Sequence, residues 1–590
     1  MQFTDTLAKR KRDDAPPRKP HHDKKRPRKA AKPVVEGSHE EVLMHDIRSL
    51  LARTRISNGN EAEEGTTNGT SEQQQPAATA LPERFTEIEL EIIELSSTGD
   101  GLARQQGSDR IYTVPFTVPG DVVKARVYRH MDKEPYSVAD FVSVVKPSPL
   151  RDDARIQCPY FAKCAGCQFQ MVDYDEQLKI KRTVVEKAYK NFSNLPQELV
   201  PSILDTMGSP LQYGYRTKLT PHFDGPHGPR KVKKYLQEVP VVGFTTKGSK
   251  KMLDIEDCPI GTSAVRLGLK RERKRMETEY SKYSKGATIL LRENTVRIKD
   301  GSQDVPPPDS DSVKIEGEGY TDYKTCETDN NATTTEYIDD FIFTNPAGSF
   351  FQNNNSILSP FTAYVRDHML PPASASATAG GKEVKYLIDA YSGSGLFTIT
   401  LSPTLFPKGG TSVGIDIDEK SISFARNNAR LNGLQAGDKC KFIAADANQL
   451  FESVKTYDPD ETVVVLDPPR RGCDKGFLKQ LLEFRPRRVV YVSCNVHTQA
   501  RDVGILVRGE VDGSEVELRP EGQTAEKGAA VEKVAEGAKA VVDTVGDAIA
   551  EAAGGEQKKT RYAIESIRGF DFFPQTSHVE GVAILNRVDE

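Results

Sequence analysis

The carboxyl-terminal part of this 590-residue chain predicts a doubly wound α/β domain, in which helices cover both faces of a parallel sheet. Near-continuous apolar runs, the pattern of strands buried on both faces, occur at Tyr386–Ile388, Ser412–Ile415, Lys441–Ile443, Val463–Leu466 and Val489–Val492. Helical stretches such as Glu419–Leu431 and Lys475–Phe484 separate these runs. A glycine-rich turn follows the first run, where such sheets bind ligands. Strands over Ala563–Ile567 and Val579–Leu585 are expected to close the sheet.

Residues 1–84 are expected to form a disordered basic tail, because they contain few apolar residues. Two clusters of Lys and Arg lie at Lys9–Arg12 and Lys24–Lys29, and a Gln/Thr/Asn/Gly-rich stretch follows over 58–80. The clusters fit a nuclear localisation signal, a non-specific nucleic-acid tether or a merely solvated tail, and the sequence leaves all three open. The interspersed Asp13, Asp14 and Asp23 suit a nuclear signal better than an acid-poor mitochondrial transit peptide.

Composition narrows the class of protein. The formal net charge is −4, so charge alone predicts no polyanionic partner. The chain has no apolar run of about 18 residues and does not begin with the layout of a signal peptide. We therefore expect a soluble protein of the nucleus and/or cytoplasm, with the mitochondrion less favoured and no membrane partner. In a reducing compartment, the eight cysteines are expected to be metal-binding, catalytic or buried.

Residues 85–147 predict a small β-barrel, because short β-branched runs alternate with glycine. The segments Gly99–Ala103, Val114–Phe116 and Pro119–Asp121 resemble the TRAM domain, an OB-like barrel attached to RNA-modifying enzymes. Turns of this composition also occur in other small barrels.

A cysteine cluster opens a central α+β region, which we place at 148–343. The thiols of Cys158, Cys164 and Cys167 can turn inward from one tight loop, and Cys258 is the natural fourth ligand. Four thiolates are typical of an iron–sulfur cluster, here expected to be 4Fe–4S. Zinc is the less favoured alternative, because zinc sites usually combine two close pairs of cysteines, and an empty site is less favoured still. The expected role is structural.

The rest of the central region predicts a helix over Tyr174–Asn191 and strands around Tyr215–Phe223 and Val241–Leu253. Basic residues interleaved with aromatics suit RNA phosphates, although an exposed charged strand face is the commoner explanation; they are Arg216, Lys218, Arg230, Lys231, Lys233 and Lys234. Residues 302–335 are acidic and rich in Pro, Asn and Thr, and we predict an inserted loop there. A second insert, over 509–559, is expected to be a mobile surface excursion with an amphipathic helix at Ala529–Ala553.

Several chemically distinctive residues follow strands of the predicted domain at 344–590. The glycine turn spans Asp389–Gly395, Asp416 ends the second strand, the stiff turn Asp467–Gly472 follows the fourth, and Cys494 follows the fifth. The carboxyl ends of parallel strands share one edge, so these elements are expected to line one crevice. An acid at the position of Asp416 can bind a ribose diol. The set suits a Rossmann-like S-adenosylmethionine-dependent methyltransferase better than a dehydrogenase.

Five motifs occur in the order that is typical of one enzyme family: Phe350–Asn354, Asp389-x-Tyr391-x-Gly393-x-Gly395, Asp467–Arg470, Ser493–Asn495 and Phe573–Glu580. In these motifs the chain resembles the RNA (uracil-5-)-methyltransferase family over roughly Phe85–Val588. The resemblance implies S-adenosylmethionine as methyl donor and RNA as substrate, with the T-loop uridine 54 of tRNA as the target. A monomer is expected.

The resemblance also implies roles for particular residues. Gln352, Tyr391, Asp416 and Asp467 match residues that contact the methyl donor, Cys494 matches the nucleophile, and Glu580 matches the general base. The family usually has glutamate at the position of Asp416. The shorter aspartate side chain of this chain shortens the expected ribose contact without removing it. Ser392 and Leu396 also replace residues that are often Cys or Asn in the family. For His578 we expect a structural hydrogen-bonding role.

The chemistry requires these residue types, because carbon 5 of uracil is too weak a nucleophile to attack a methyl sulfonium unaided. Addition of the Cys494 thiolate to carbon 6 activates carbon 5, and a base such as Glu580 then removes the proton from carbon 5. The thiol pKa must be lowered, by the helix start after Asn495 or by Arg470 or Arg471. The target base has to leave its stack.

Two alternatives from other classes stay open on sequence alone. One is an RNA 5-methylcytosine methyltransferase, which uses related thiol chemistry. The other is a non-catalytic RNA-binding or tRNA-folding protein that uses the barrel, the basic tail and stacking aromatics. A cysteine chosen without context is more often an inert core residue than a nucleophile. Only the surrounding motifs favour catalysis for Cys494.

Overall fold

The computed structural model describes residues 34–60, 81–106, 108–226, 234–305, 308–371, 382–434, 439–446, 451–511 and 561–588. In these ranges the chain forms an amino-terminal helix, a closed barrel, a central region of small sheets and a large mixed sheet with covering helices. None of the described helices is long and apolar enough to span a membrane.

The barrel consists of five strands: β1 Glu87–Leu95, β2 Gly101–Arg104, β3 Ile111–Val114, β4 Val122–His130 and β5 Tyr136–Lys146. It closes in the order β1-β2-β3-β5-β4. Buried and exposed residues alternate along β1, as a strand with one face toward a barrel core requires. The predicted small barrel is therefore confirmed, and closure leaves it without a free edge.

An α-helix, α1, spans His39–Asn60, where the sequence analysis expected disorder. Leu43, Ile47 and Leu50 recur at helical spacing and pack on Leu102 and Tyr136 of the barrel. The expectation of a disordered tail over 1–84 is therefore wrong for 34–60. Disorder was expected because the overall apolar content of this region is low, and that low content concealed one narrow apolar stripe. The rest of the expected tail, apart from 81–84, lies outside the described residues.

The central region contains helices α2 Tyr174–Phe192 and α3 Ser263–Glu279. Its strands are mostly short: β6 Leu204–Met207, β7 Lys218–Leu219, β8 His222–Phe223, β9 Gly243–Thr245, β10 Met252–Asp254, β11 Ala287–Thr288, β12 Leu291–Lys299, β13 Ser312–Gly317, β14 Tyr320–Glu327, β15 Thr333–Ile338 and β16 Phe341–Pro346. Helix α2 matches the predicted helix over 174–191. The strands expected around 215–223 and 241–253 are present as shorter pieces.

The acidic stretch over 302–335 is not an inserted loop. It contains the antiparallel strands β13 and β14, and β14 pairs with β12 from Arg292 to Lys299. Opposite charges face each other there: the Arg297 guanidinium bonds both carboxylate oxygens of Asp322 and lies 3.7 Å from the ring centroid of Tyr320. The acidic composition suggested a solvated loop, but cross-strand pairing neutralises part of that charge.

The catalytic-domain sheet has eight strands in the order β19-β18-β17-β20-β21-β23-β22-β6. Its own strands are β17 Tyr386–Ala390, β18 Thr411–Asp416, β19 Cys440–Ala444, β20 Thr462–Leu466, β21 Arg488–Ser493, β22 Arg561–Phe570 and β23 Glu580–Val588. The first five in spatial order are parallel, and β23 runs antiparallel between β21 and β22. All seven predicted strands are present. The eighth strand, β6, comes from the central region and extends the sheet beyond β22.

Helices cover both faces of this sheet, as the apolar runs predicted. They are α4 Leu358–Met369, α5 Leu396–Leu405, α6 Glu419–Leu431, α7 Lys475–Phe484 and α8 Val496–Arg508. Two separate apolar clusters result, one with α7 and α8 and the other with α4, α5 and α6. The insert predicted at 509–559, with its helix, lies outside the described residues from 512 onward.

Candidate active site

The glycine turn after β17 is held in an unusual backbone conformation. Tyr391, Gly393 and Gly395 have φ angles of 65°, 53° and 91°, and the non-glycine Tyr391 is strained there. Gly395 is the N-cap residue of α5, and a Cβ atom on it would meet the Phe442 ring at 3.0 Å. The turn therefore needs glycine for both conformation and space.

Asp416 lies against this turn. Its Oδ2 accepts a hydrogen bond of 3.0 Å from the Gly393 amide, and its Oδ1 accepts one of 2.9 Å from the Asp418 amide. Tyr391 and Asp416 line one cavity of about 420 Å³, together with Ile417 and Asp446. Ile417 is 72% exposed. A carboxylate, an aromatic ring and an exposed apolar side chain around one cavity suit a nucleoside.

Ile417 and Asp446 also line this cavity, although neither was predicted from sequence as a site residue. Asp446 lies just beyond β19, as Asp416 lies at the end of β18, so the rule that ligands bind at the carboxyl ends of parallel strands could have found it. Gln352 and Asp467, in contrast, do not line this cavity. They lie on the side of the nucleophile, where both act on the Glu580 carboxyl.

Strand pairing brings Cys494 and Glu580 together. Ser493, the last residue of β21, is paired with Gly581 of β23, so the next residue along β21 lies opposite Glu580. The Glu580 side chain is buried, and its Oε2 has no hydrogen-bond partner among the described residues. A buried carboxyl oxygen without a partner is costly, which is typical of a site that awaits a substrate.

Electrostatics tune both groups. Burial, followed by the charge of Asp467, raises the pKa of Glu580 to about 8, whereas Arg470 and a hydrogen bond from Gln352 act in the opposite direction. Burial, followed by the charges of Glu580 and Asp467, raises the pKa of the Cys494 thiol to about 12. Arg470 acts in the opposite direction, because its charge and its hydrogen bond both lower the thiol pKa.

The Arg470 backbone is fixed to the start of α8. Its carbonyl oxygen accepts hydrogen bonds from Asn495 Nδ2 at 2.9 Å and Thr498 Oγ1 at 3.1 Å. Asn495 also caps α8, since its side chain accepts from the His497 amide. These hydrogen bonds join the turn at 467–472 to the helix start after the nucleophile.

Two further carboxyls, the half-buried Asp467 and the fully buried Asp389, lie at the ends of neighbouring strands. Burial, with a smaller contribution from the charge of Asp389, raises the pKa of Asp467 to about 7. Asp389 is fully buried, and its Oδ2 accepts from Thr398 N at 2.8 Å and Thr398 Oγ1 at 2.5 Å. Asp389 thus joins β17 to α5 behind the glycine turn.

The segment at 571–580 that leads to Glu580 is clamped by the central region. Lys181 of α2 is fully buried, forms an ion pair with Asp571 at 2.9 Å, and donates to the carbonyl oxygens of Phe573 and His578 at 3.1 and 2.5 Å. Gln168 Oε1 accepts from the Ser577 amide at 3.0 Å. Sequence reasoning missed Lys181, because a lysine in an amphipathic helix gives no signal of burial.

His578 lies between two cavities, since it lines both the cavity of Cys494 and the cavity of the cysteine cluster. The His578 ring is exposed at these cavities, but desolvation by the surrounding protein, followed by the charges of Arg470 and Lys181, lowers its pKa. The imidazole is therefore neutral at neutral pH. Its ring contacts Phe573 edge-on, with 5.9 Å between centroids.

The four predicted cluster cysteines, Cys158, Cys164, Cys167 and Cys258, line one cavity of about 550 Å³. Burial is the main cause that raises the pKa of Cys167 and of Cys258 to about 12. The charges of the other cluster thiols act in the same direction. Within the described ranges, no group of three or more His, Cys, Asp or Glu side chains has the arrangement to hold a metal ion. The structure thus brings the four thiols to one cavity without a preformed metal site.

The parallel sheet, the glycine turn and the acid at the end of β18 define the class of S-adenosylmethionine-dependent methyltransferases, and a family model described as a methyltransferase domain matches residues 382–554. A Schizosaccharomyces pombe tRNA (uracil(54)-C(5))-methyltransferase is 40% identical over 95% of this chain and 86% of the relative. A Saccharomyces cerevisiae protein of the same name is 38% identical over 85% of this chain and 73% of the relative. The chain belongs to the tRNA (uracil(54)-C(5))-methyltransferase family.

A solved structure supports the fold. The Pyrococcus abyssi tRNA (uracil-54, C5)-methyltransferase, in complex with S-adenosyl-L-homocysteine, matches 84% of this chain and all of its own chain. The TM-score is 0.51 and the identity 24%. The shared architecture therefore extends beyond the methyltransferase domain.

Proposed function

We propose that this protein is the enzyme that transfers a methyl group from S-adenosylmethionine to carbon 5 of uridine 54 in tRNA. Membership of the family supports the activity, the donor and the substrate. The observation that carries the mechanism is the pairing of β21 with β23, which sets Cys494 opposite Glu580 at the edge of the sheet. A thiol and a carboxyl on adjacent strands can act on neighbouring carbons of one base.

The first step is addition of the Cys494 thiolate to carbon 6, which forms a C–S bond and moves electron density to carbon 5. Arg470 is the residue that favours the thiolate, because its charge and hydrogen bond oppose the effect of burial on the thiol pKa. S-Adenosylmethionine supplies an electrophilic methyl group and leaves as S-adenosylhomocysteine. Carbon 5 then carries both the new methyl group and its original proton.

The second step needs a base at carbon 5. Glu580 removes that proton, the electrons return to the C5–C6 bond, and the Cys494 sulfur leaves from carbon 6. The ionised form of Glu580 takes this proton; with a pKa of about 8 it is the minor form at neutral pH, but it is a stronger base than an ordinary glutamate. The products are 5-methyluridine, S-adenosylhomocysteine and one proton.

The methyl donor is assigned to the cavity beside the glycine turn. Asp416 would accept from the ribose hydroxyls, Tyr391 and Ile417 would contact apolar parts, and the Gly393 amide fixes the Asp416 carboxylate. Gln352 and Asp467 lie toward Cys494, so we assign them to the reactive end of the donor.

The test of the mechanism compares wild type with two variants in transfer of labelled methyl from S-adenosylmethionine to unmodified tRNA. Cys494→Ala should lose transfer and form no covalent complex. Glu580→Gln should lose turnover but accumulate a covalent tRNA adduct, since the adduct can form but cannot lose its proton. Surviving transfer in Cys494→Ala would contradict the mechanism, and a 5-methylcytosine product would support the alternative enzyme.

For the cysteine cavity we propose a 4Fe–4S cluster, with zinc as the alternative. The supporting observation is that Cys158, Cys164, Cys167 and Cys258 line one cavity, although they come from segments about 90 residues apart in the chain. A cluster would join these two segments covalently and so support the nearby 573–578 loop. Protein purified without oxygen should be brown and contain iron; a colourless protein with one zinc would contradict the proposal.

For location we propose the nucleus and/or cytoplasm, from the basic clusters at Lys9–Arg12 and Lys24–Lys29. We propose a monomer in solution. Microscopy of a tagged full-length chain and sedimentation analysis test the two statements separately.

A further inference from the structure

The loop that joins β22 to β23 leads directly to the general base. Residues 571–579 form this loop, and Glu580 is the first residue of β23. On one side Glu580 is paired with Phe570, the last residue of β22. On the other side the pairing with β21 begins one residue later, at Gly581. The sheet therefore holds Glu580 from β22 but not directly from β21, so the position of its carboxyl also depends on the loop.

The Lys181 ammonium of α2 bridges the two ends of this loop. It forms an ion pair with Asp571 at 2.9 Å and donates to the carbonyl oxygens of Phe573 and His578 at 3.1 and 2.5 Å. An ammonium group has three hydrogens, so each of these acceptors can take one. Asp571 is the first residue of the loop, and His578 lies two residues before Glu580. One side chain therefore closes the loop that presents the base.

Neighbouring side chains hold the same loop. The Tyr174 hydroxyl donates to Asp571 Oδ2 at 2.9 Å. Gln177, four residues before Lys181 on α2, accepts from the Gln575 amide at 3.0 Å through its side-chain oxygen. The side chains of Lys181 and Asp571 are both fully buried. Because water does not reach this pair, solvent cannot replace a contact that is lost there.

Helix α2 also packs on α8, the helix that follows the nucleophile. Val185 of α2 and Val503 of α8 belong to one apolar cluster. A Cβ atom on Gly504 of α8 would lie 1.9 Å from the carbonyl oxygen of Ser193, the residue that ends α2, so the two helices approach closely there. One helix thus contacts both the element that follows the nucleophile and the loop that precedes the base.

We propose that Lys181 is a positioning residue for Glu580: it fixes the loop at 571–579 so that the carboxylate reaches the proton on carbon 5 of the methylated base. The proposal rests on the proposed function, because it concerns the second step of that reaction. In this step the proton moves from carbon 5 to Glu580, its bonding electrons form the C5–C6 double bond, and the bond from carbon 6 to the Cys494 sulfur breaks. Addition of Cys494 and methyl transfer come earlier and do not use this base.

The test uses the double variant Lys181→Met with Asp571→Asn, which removes both charges and leaves neither buried without its partner. A single turnover with labelled S-adenosylmethionine and tRNA is stopped by denaturant, and the covalent adduct and the released 5-methyluridine are measured over time. We expect the adduct to form within about twofold of the wild-type rate and to break down about 10- to 100-fold more slowly. The adduct should therefore accumulate, which a loss of folded protein cannot cause.

Arg182→Met with Asp205→Asn is the matched control. This pair joins the next residue of α2 to β6 at 2.8 Å, but it lies at the surface. The control should form the adduct and break it down at wild-type rates. Gln177→Met keeps the ion pair and tests the same loop if the double variant does not fold. We expect it to slow breakdown of the adduct about 3- to 10-fold, because one hydrogen bond to the loop is lost.

Three results would overturn the proposal. They are breakdown of the adduct at the wild-type rate in the double variant or, where that variant does not fold, in Gln177→Met; equal slowing of adduct formation and breakdown; and the same slow breakdown in the control pair. Absence of both methyl transfer and adduct in wild type would instead contradict the proposed function.

Discussion

Replacing the buried carboxyl of Glu580 by an amide should stabilise the protein while it abolishes turnover. The pKa of Glu580 is raised to about 8, mainly by burial, from an ordinary value of 4.5. The folded state therefore favours the protonated form. The unfolded chain loses its proton above pH 4.5, so wild-type stability falls as pH rises from there to about 8 and then stays low. Glu580→Gln lacks this loss, because glutamine does not titrate.

The size of the effect follows from the pKa difference. One pKa unit corresponds to about 1.36 kcal/mol, so the variant should be more stable than wild type by about 1 kcal/mol at pH 5.5, about 3 kcal/mol at pH 7 and about 5 kcal/mol at pH 8.5. The assay is urea denaturation of both proteins at these three pH values, followed through the cooperative transition of the catalytic domain.

The matched control is Glu483→Gln on the exposed side of α7, where the side chain is 63% exposed. Its free energy of unfolding should differ from wild type by less than about 0.5 kcal/mol at every pH. A difference between Glu580→Gln and wild type that does not grow with pH would refute the reasoning. It would mean that Glu580 is ionised in the folded protein and paired with a cation.

Four further changes have defined outcomes. Lys181→Met should lower the free energy of unfolding, measured in urea, by about 3–5 kcal/mol, because it leaves Asp571 buried without its partner. A second change, Asp571→Asn, should recover most of that loss. An equal loss in the double variant would contradict this explanation. Asp416→Ala should raise the KM for S-adenosylmethionine about 10- to 100-fold with tRNA affinity unchanged, and an unchanged KM would show that the carboxylate does not bind the donor. Gly395→Val should abolish donor binding in calorimetry while the barrel stays folded. The reason is that Gly395 has a φ of +91° and a Cβ atom on it would lie 3.0 Å from the Phe442 ring. Normal donor binding would contradict the role of the turn. Ile47→Ala should cost about 2–5 kcal/mol and expose α1 to protease, whereas unchanged protease resistance would mean that α1 is held by other contacts.

The catalytic domain was predictable from sequence because its strands are short apolar runs with turn residues between them. Each predicted strand from Tyr386 to Val492 lies within one or two residues of the observed one. Cys494 and Asp416 were identifiable as site residues because parallel strands expose their carboxyl ends at one edge. Glu580 lies on an antiparallel strand whose carboxyl end points away, so only the resemblance to a family found it.

The features that sequence did not reveal depend on contacts between distant parts of the chain. Lys181 meets Asp571 across about 390 positions, and Gly37 meets Asn495 across about 460. Neither contact leaves a periodic pattern, because each depends on one side chain or one glycine. Helix α1 did carry a signal, since Leu43, Ile47 and Leu50 lie on one face, but high polarity around them concealed it. The hairpin of β13 and β14 was missed for the same reason.

The most direct test of the central claim, that Cys494 adds to carbon 6 of uracil, uses tRNA that contains 5-fluorouridine at position 54. Fluorine at carbon 5 cannot leave as a proton, so the covalent intermediate should persist after methyl transfer. Wild type with S-adenosylmethionine should give a denaturation-resistant complex of one protein and one tRNA, with the methylated nucleotide attached to the peptide that contains Cys494. A complex attached to another residue, or methylation of ordinary tRNA with no trapped complex, would contradict the account.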